Sequence, residues 1–155
     1  MTAPIHILIT GASSGIGEAL ALLYAAPGIT LSLSGRDAQR VAAIAHACRE
    51  KGATVDAQVM DVTDQNATEA WVLARDDAAP LDLVIANAGI SGGTAGIEGG
   101  TAASRGRHIF DVNLGGVLNT VLPVIPRMRA RRRGQIALMS SLASFRGIGG
   151  APAYS

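Results

Sequence analysis

The chain has 155 residues, of which 48% are apolar and 16% charged, and its formal net charge is +1. This composition supplies enough apolar side chains for a compact core and predicts one globular domain over residues 1–155. The near-neutral charge excludes a generally basic nucleic-acid-binding protein and an acidic tail.

The cysteine count and the N-terminus indicate the cellular compartment of the protein. Cys48 is the single cysteine, so no disulfide can form within the chain, and its apolar helical surroundings predict a buried thiol. Met1 is followed almost directly by an apolar strand, without the basic segment of a secretory signal. No apolar run reaches the ~18 residues that a membrane span requires. We therefore expect a cytoplasmic protein with no membrane partner.

Short apolar runs alternate with longer amphipathic or alanine-rich segments, which is the pattern of repeated βαβ units. Strands are predicted at residues 5–10, 30–34, 54–60, 81–86 and 134–140. Helices are predicted at residues 15–26, 38–51, 64–77 and 104–132, with Asp37 and either Thr63 or Asp64 as N-caps. Because the strands are nearly continuously apolar, we expect an α/β fold with a parallel sheet covered by helices on both faces.

Two segments interrupt this pattern. Pro123 and Pro126 fall inside the last predicted helix, and each removes a backbone donor, so a kink or loosened turns are expected there. The segment after the fourth strand is rich in glycine and predicts a mobile loop, with Gly92, Gly93, Gly96, Gly99 and Gly100.

A glycine-rich turn lies where the first strand meets the first helix, Thr10-Gly11-Ala12-Ser13-Ser14-Gly15-Ile16-Gly17. Backbone N–H groups at a helix start bind anions, and glycines let a pyrophosphate approach the backbone closely. The spacing Gly-x-x-x-Gly-x-Gly can therefore bind a dinucleotide in the same way as the commoner motif Gly-x-Gly-x-x-Gly. The alternative is a glycine turn that merely joins the strand to the helix.

Two other motifs overlap this turn. The P-loop is excluded because no Lys-Ser/Thr pair follows the glycines. Gly11 to Gly15 also match Gly-x-Ser-x-Gly, the nucleophile elbow of α/β-hydrolases, with Ser13 as nucleophile and with Asp61 or Asp82 and His108 following in the required order. That alternative places the elbow on the first strand, without a preceding strand for the oxyanion loop.

Further motifs follow the later strands: Asp61-Val62, Asn87-Ala88-Gly89, Asn113, Ser141 and Tyr154. With the glycine turn they resemble the short-chain dehydrogenase/reductase family, classical type, in order and separation over the whole chain. The pattern is specific because a serine thirteen positions before a tyrosine follows both the Asn-Ala-Gly and the helical asparagine. Ala86 departs from the family, which often has a second asparagine there. The family's lysine, four residues after its tyrosine, would fall just beyond Ser155.

The resemblance implies a Rossmann-like doubly wound fold that lacks the family's C-terminal helix and last strands within these residues. It implies a nicotinamide cofactor site formed by Gly11, Ser13, Ser14, Gly15, Ile16, Gly17, Arg36, Asp61, Val62, Asn87, Ala88 and Gly89. Asp61 is suited to accept from the adenine amino group, or else it caps a helix. The Asn87 amide can tie neighbouring strands together. Asn113 opens a helical bulge that holds a water for proton relay, or it is only a surface amide.

Cofactor choice depends on the end of the second strand. A ribose 2′-hydroxyl calls for a carboxylate there, whereas a 2′-phosphate calls for a guanidinium. Gly35 stands where NAD-preferring relatives usually carry an acid, and Arg36 follows, so the resemblance implies NADP(H) over NAD(H). Asp37 weakens this inference unless it serves as the N-cap of the second helix.

The implied reaction is hydride transfer between the nicotinamide and a small-molecule carbonyl or secondary alcohol. Tyr154 would act as general acid/base, Ser141 would hold the substrate oxygen, and Asn113 would support proton relay. An ammonium beside a phenol favours the phenolate, which is the role of the family's lysine. Without it we expect little or no turnover from these 155 residues. The alternative is a nucleotide-binding fragment or regulator without catalysis.

The remaining features predict no site. The arginines at 127, 129, 131, 132 and 133 lack interleaved aromatics, so they are interpreted as solvated cations at a helix C-terminus rather than a nucleic-acid surface. The histidines have no metal-ligand spacing. The helix that carries Asn113 resembles the element through which the family pairs subunits, so a homodimer or homotetramer is expected for the full-length protein.

Overall fold

The computed structural model describes residues 5–91, 102–147 and 152–155. Five parallel strands form one sheet in the order β3-β2-β1-β4-β5. The strands are β1 His6–Ile9, β2 Thr30–Gly35, β3 Thr54–Val59, β4 Leu83–Ala86 and β5 Gln135–Leu138. From β1 the chain proceeds to β2 and β3 on one side and then crosses to β4 and β5 on the other. This confirms the predicted doubly wound Rossmann-like fold. The glycine-rich loop expected at 92–100 lies outside the described residues.

Helices cover both faces of the sheet: α1 Gly15–Tyr24, α2 Ala38–Glu50, α3 Gln65–Ala78, α4 Ala102–Phe110, α5 Gly116–Val121 and α6 Ile125–Ala130. One core cluster joins Ile7 and Leu33 of the sheet to α1 and α2, and Cys48 is buried in it as predicted. The other joins Leu8 and Val84 to α3, α5 and α6. The two clusters arise because successive strand residues point to opposite faces.

The two helices that begin with aspartate are capped as expected. The Asp37 carboxylate accepts from the Arg40 N–H at 3.0 Å, and the Asp64 carboxylate accepts from the Ala67 N–H at 3.0 Å. Of the two candidates for the third helix, Asp64 is therefore the N-cap and Thr63 is not.

The last predicted helix, residues 104–132, is not one continuous helix. α4 passes into a π-helical segment, Asp111–Gly115, and α5 is separated from α6 by a turn at residues 122–124. Pro123 lies in that turn, and Pro126 lies in the first turn of α6, where its missing N–H is tolerated. The disruption expected from the prolines is thus present.

By length and composition, the helical stretch Ala103–Ala130 qualifies as a candidate membrane span, with a mean hydropathy of 1.4. The expectation that no apolar run reaches that length is therefore wrong. Part of this apolarity belongs to the core, because Val112, Val121, Val124 and Met128 are buried. A helix that packs in a protein core passes the same criterion.

The edge strands differ from the expectation of strands covered on both faces. β1 and β4 are buried throughout, whereas every residue of β3 and β5 is at least partly exposed. Polar side chains account for this on β3, where Asp56 receives a hydrogen bond from Trp71 and an ion pair from Arg75. On β5, Leu138 is 59% exposed.

Three of the arginines expected to be simply solvated make ion pairs at the amino edge of the sheet. Arg127 and Arg131 both contact Asp76, and Arg133 contacts Asp82 at 2.8 Å. Burial raises the pKa of Asp76, but hydrogen bonds from Arg131 and Leu81 outweigh it and leave the pKa below its ordinary value. These ion pairs attach the end of α6 to α3 and β4.

Candidate functional site

A large cavity of about 880 Å³ opens at the carboxyl edge of the sheet. It lies where the chain order reverses between β1 and β4, which is the ligand-binding position in open α/β sheets. All the predicted site residues except Gly17 line it, and Gly35, Asp37, Arg40, Met60, Ile90, Ser91, Val112, Val117, Met139, Ser140 and Ser144 do so as well. Residues that are far apart in sequence thus meet in one concave site.

The glycine turn gives the cavity a wall of backbone. Gly15 has φ +58° and nothing within 4 Å of where a side chain would begin, so that space belongs to the cavity. Ser14 is the N-cap of α1, yet its side chain makes no capping hydrogen bond. Among the described residues no side chain caps the first N–H groups of α1, so these groups can bind an anion, and this turn fits a pyrophosphate.

Gly17, in contrast, is a packing residue. A Cβ there would lie 2.2 Å from the Gly11 carbonyl oxygen and 2.5 Å from the Asn87 amide nitrogen. Gly17 is buried and does not line the cavity. Its role as a cofactor contact stays a prediction, whereas its lack of a side chain lets α1 approach the sheet.

Asn87 connects β4 to the glycine turn. Its amide nitrogen donates to the Thr10 carbonyl at 3.1 Å and to the Gly11 carbonyl at 3.2 Å. In return, the Thr10 hydroxyl accepts from the N–H groups of Asn87 and Ala88. The predicted strand-tying role of this amide is therefore observed, and it fixes the turn against the Ala88-Gly89 backbone.

Asp61 stands at the cavity edge as a carboxylate. Its Oδ1 accepts both the N–H and the hydroxyl of Thr63, each at 2.9 Å. Burial raises the pKa of Asp61, but these hydrogen bonds and the charges of Arg36 and His108 outweigh it and leave the pKa below its ordinary value. Asp61 does not cap α3, and among the described residues its Oδ2 has no hydrogen-bond donor.

Val62 is held in place by α5. The Asn119 amide donates to the Val62 carbonyl at 2.9 Å, and a Cβ on Gly116 would lie 2.5 Å from Val62 Cγ2. Because Gly116 has no side chain, the loop after β3 can pack against α5 while Val62 still lines the cavity.

Asn113 lies in the π-helical segment, as the predicted helical bulge requires. Its Oδ1 accepts from the Ile90 N–H at 2.8 Å, and its Nδ2 donates to the Ile90 carbonyl at 2.9 Å. The amide is therefore not a simple surface group, because it anchors the backbone that follows Asn87-Ala88-Gly89 to the helix.

The end of β2 brings two guanidinium groups to one end of the cavity. Arg36 and Arg40 both line it, together with Ser13, Gly35 and Asp37. The Asp37 carboxylate caps α2 and pairs with Arg40 Nε at 3.6 Å. Arg40 was missed from the sequence, although its position three residues after the N-cap is a signal that would place it beside Asp37.

Ser141 and Tyr154 also line the cavity. Ser141 follows β5 and caps a short 3-10 helix, Leu142–Ser144, with its Oγ accepting from the Ala143 N–H at 3.2 Å. Tyr154 is half-buried. The segment 152–155 lies against α4, since a Cβ on Gly106 would contact Ala153 at 3.7 Å.

The hydrolase alternative is not assembled. Asp82 lies at the amino edge of the sheet, where its carboxylate accepts from the N–H groups of Ile5 and His6. His108 does not line the cavity, and no hydrogen bond joins it to Ser13 among the described residues. The Ser-His pair that a nucleophile elbow requires is therefore not formed in the described part of the chain.

This fold and cavity define an α/β protein of the dinucleotide-binding class. A family model described as short chain dehydrogenase matches residues 5–155. An uncharacterized oxidoreductase of Myxococcus xanthus (strain DK1622) is 42% identical over 149 residues, which cover 96% of this chain and 58% of the relative.

Two solved structures are also similar. NAD+-bound xylitol dehydrogenase superposes with a TM-score of 0.86 at 27% identity, covering 96% of this chain and 57% of that one. A metagenomic short-chain oxidoreductase in complex with NADP gives 0.85 at 26% identity, covering 96% of this chain and 67% of that one. The chain therefore belongs to the short-chain dehydrogenase family, and it spans 58% of the length of the Myxococcus relative.

Proposed function

We propose that the protein is an NADP(H)-dependent oxidoreductase that interconverts a small-molecule carbonyl compound and a secondary alcohol. One observation carries the proposal: the glycine turn, Arg36, Asp61, Ser141 and Tyr154 line one cavity. Membership of an oxidoreductase family supports it.

The chain's own groups suit each part of the cofactor. The N–H groups at the start of α1, which no side chain caps among the described residues, would bind the pyrophosphate. The Asp61 carboxylate would accept from the adenine amino group, and Asn87-Ala88-Gly89 would offer a close backbone surface. Arg36 and Arg40 add positive charge where the 2′-phosphate distinguishes NADP from NAD. Both kinds of cofactor occur among the related structures, so the preference for NADP(H) rests on these arginines.

Catalysis is assigned to Ser141, Tyr154 and Asn113. The nicotinamide supplies or accepts the hydride when bound. The Ser141 hydroxyl holds the substrate oxygen, and the Tyr154 phenol donates a proton to that oxygen in reduction or accepts one in oxidation. Asn113 holds the Ile90 backbone, which lines the same cavity, and would support proton relay.

An exposed apolar stripe supports the further proposal of a homodimer or homotetramer, whose cytoplasmic location stays a prediction from the sequence. It follows the helical stretch at intervals of four residues and consists of Phe110, Leu114, Leu118 and Leu122. Its burial between subunits would remove this surface from water.

Turnover in the natural full-length protein tests the catalytic proposal. NADPH oxidation with a panel of aldehydes and ketones is expected, and Tyr154→Phe should abolish it without weakening NADPH binding. The matched variant Tyr24→Phe, on α1 and outside the cavity, should retain it. NADPH binding with no turnover on any member of the panel would instead favour a nucleotide-binding regulator.

A further inference from the structure

Gly35, the last residue of β2, has no room for a side chain. A Cβ there would lie 2.7 Å from Ser13 Oγ, 2.9 Å from Ser13 Cβ and 2.9 Å from Val41 Cγ2. Rotation of the Ser13 hydroxyl does not relieve this, because the Ser13 Cβ is itself too close. The Ser13 backbone is fixed in turn, since the neighbouring Ala12 N–H donates to the Ser34 carbonyl at 2.8 Å.

This crowding occurs where a dinucleotide site selects its nucleotide. An acid about 20 residues after the glycine turn holds the ribose 2′-hydroxyl of NAD. Gly35 and Asp37 stand at that distance from the turn. The Asp37 carboxylate is already engaged by the N–H and the Nε of Arg40, which leaves Gly35 as the position from which an acid could reach the ribose.

We infer that the Ser13 side chain is a specificity-determining group that excludes NAD(H)-type recognition by occupying the space a carboxylate at position 35 would need. With that space filled, the cavity end presents the Ser13 hydroxyl and the guanidinium groups of Arg36 and Arg40. These are donors suited to a phosphate monoester. The inference rests on the proposed function, because it explains how the site prefers NADP(H).

Stability tests the steric step without any nucleotide. Gly35→Ala should lower the melting temperature by about 3–10 °C, as overpacking does in a chain of this size. Ser13→Gly should restore at least half of that loss, the rest being due to Val41. Ser14→Gly is the matched control, because it adds the same backbone freedom one residue away without clearing the space. Equal rescue by Ser13→Gly and Ser14→Gly would overturn the inference.

Nucleotide titration tests the specificity step, with NADPH and NADH as probes and protein fluorescence as the readout. Gly35→Asp alone should weaken the binding of both nucleotides about tenfold or more, because the new side chain displaces the glycine turn. Ser13→Gly/Gly35→Asp should bind NADH at least tenfold more tightly than Gly35→Asp does, while NADPH stays weak. A Gly35→Asp protein that already prefers NADH with unchanged stability would show that Ser13 excludes nothing.

The parent protein separates this inference from the proposed function. If the parent prefers NADH, the proposed NADP(H) preference fails and the specificity step fails with it. If the parent prefers NADPH but Ser13→Gly rescues neither stability nor NADH binding, only the present inference fails.

Discussion

Asn87 is the side chain whose loss should most directly disconnect the cavity wall from the sheet. Asn87→Ala removes two hydrogen bonds, to the Thr10 and Gly11 carbonyls, at 3.1 and 3.2 Å. At a net 0.5–1.5 kcal/mol each, their loss should lower the free energy of unfolding by about 1–3 kcal/mol. In a chain of this length, that corresponds to a fall in melting temperature of about 3–10 °C. Asn87→Asp should cost at least as much, since a carboxylate cannot donate to these carbonyls.

Thermal and urea unfolding followed by circular dichroism measures this effect. Asn119→Ala is the matched control, because it removes one amide hydrogen bond, to the Val62 carbonyl at 2.9 Å, and should cost about half as much. NADPH binding should also weaken in Asn87→Ala, because the Gly11 backbone is no longer fixed. A loss of stability no larger than that of Asn119→Ala would refute the bridging role.

Three further predictions concern other parts of the molecule. Gly116→Ala should lower the free energy of unfolding by about 1–3 kcal/mol, because the new Cβ would lie 2.5 Å from Val62 Cγ2. Gly115→Ala should not destabilise the protein, since no atom lies nearer than 3.9 Å to its Cβ. Urea unfolding of both variants measures the difference. His6 is buried between the Ala79 carbonyl at 2.8 Å and the Ser32 hydroxyl at 3.0 Å, and burial, only partly offset by the Ala79 hydrogen bond and nearby aspartates, lowers its pKa. The folded state favours the neutral His6 ring, so His6 should contribute its full stabilisation above pH ~6.5. This stabilisation should be lost as the pH falls towards and through the lowered pKa. The same pH dependence of stability in His6→Gln would contradict this. Arg36→Gln should weaken NADPH binding about tenfold in a fluorescence titration and leave NADH binding nearly unchanged. Equal weakening of both affinities would contradict the role assigned to Arg36.

Much of the cavity could be predicted because it depends on local rules. The alternation of strands and helices places the carboxyl ends of the strands at one edge, so Gly15, Asp61 and Asn87 meet there whatever the details of packing. The caps Asp37 and Asp64 follow from residue type and position alone.

The details that could not be predicted concern close packing and long-range partners. Gly17 belongs to the motif but faces the Gly11 carbonyl and the Asn87 amide rather than the cavity. The pairing of Asn113 with the Ile90 backbone depends on a π-helical turn whose register no local pattern specifies. Arg131 meets Asp76 only because α6 and α3 pack on the same face of the sheet, more than 50 residues apart in sequence.

Nucleotide binding to the 155-residue chain tests the central claim most directly. NADPH and NADH would be titrated against the purified chain by isothermal calorimetry, with 2′,5′-ADP and 5′-AMP as probes of the adenosine end alone. The cavity predicts that NADPH binds at least tenfold more tightly than NADH, and that 2′,5′-ADP binds more tightly than 5′-AMP. Equal or tighter binding of NADH, or no heat of binding for either nucleotide with a folded chain, would contradict it.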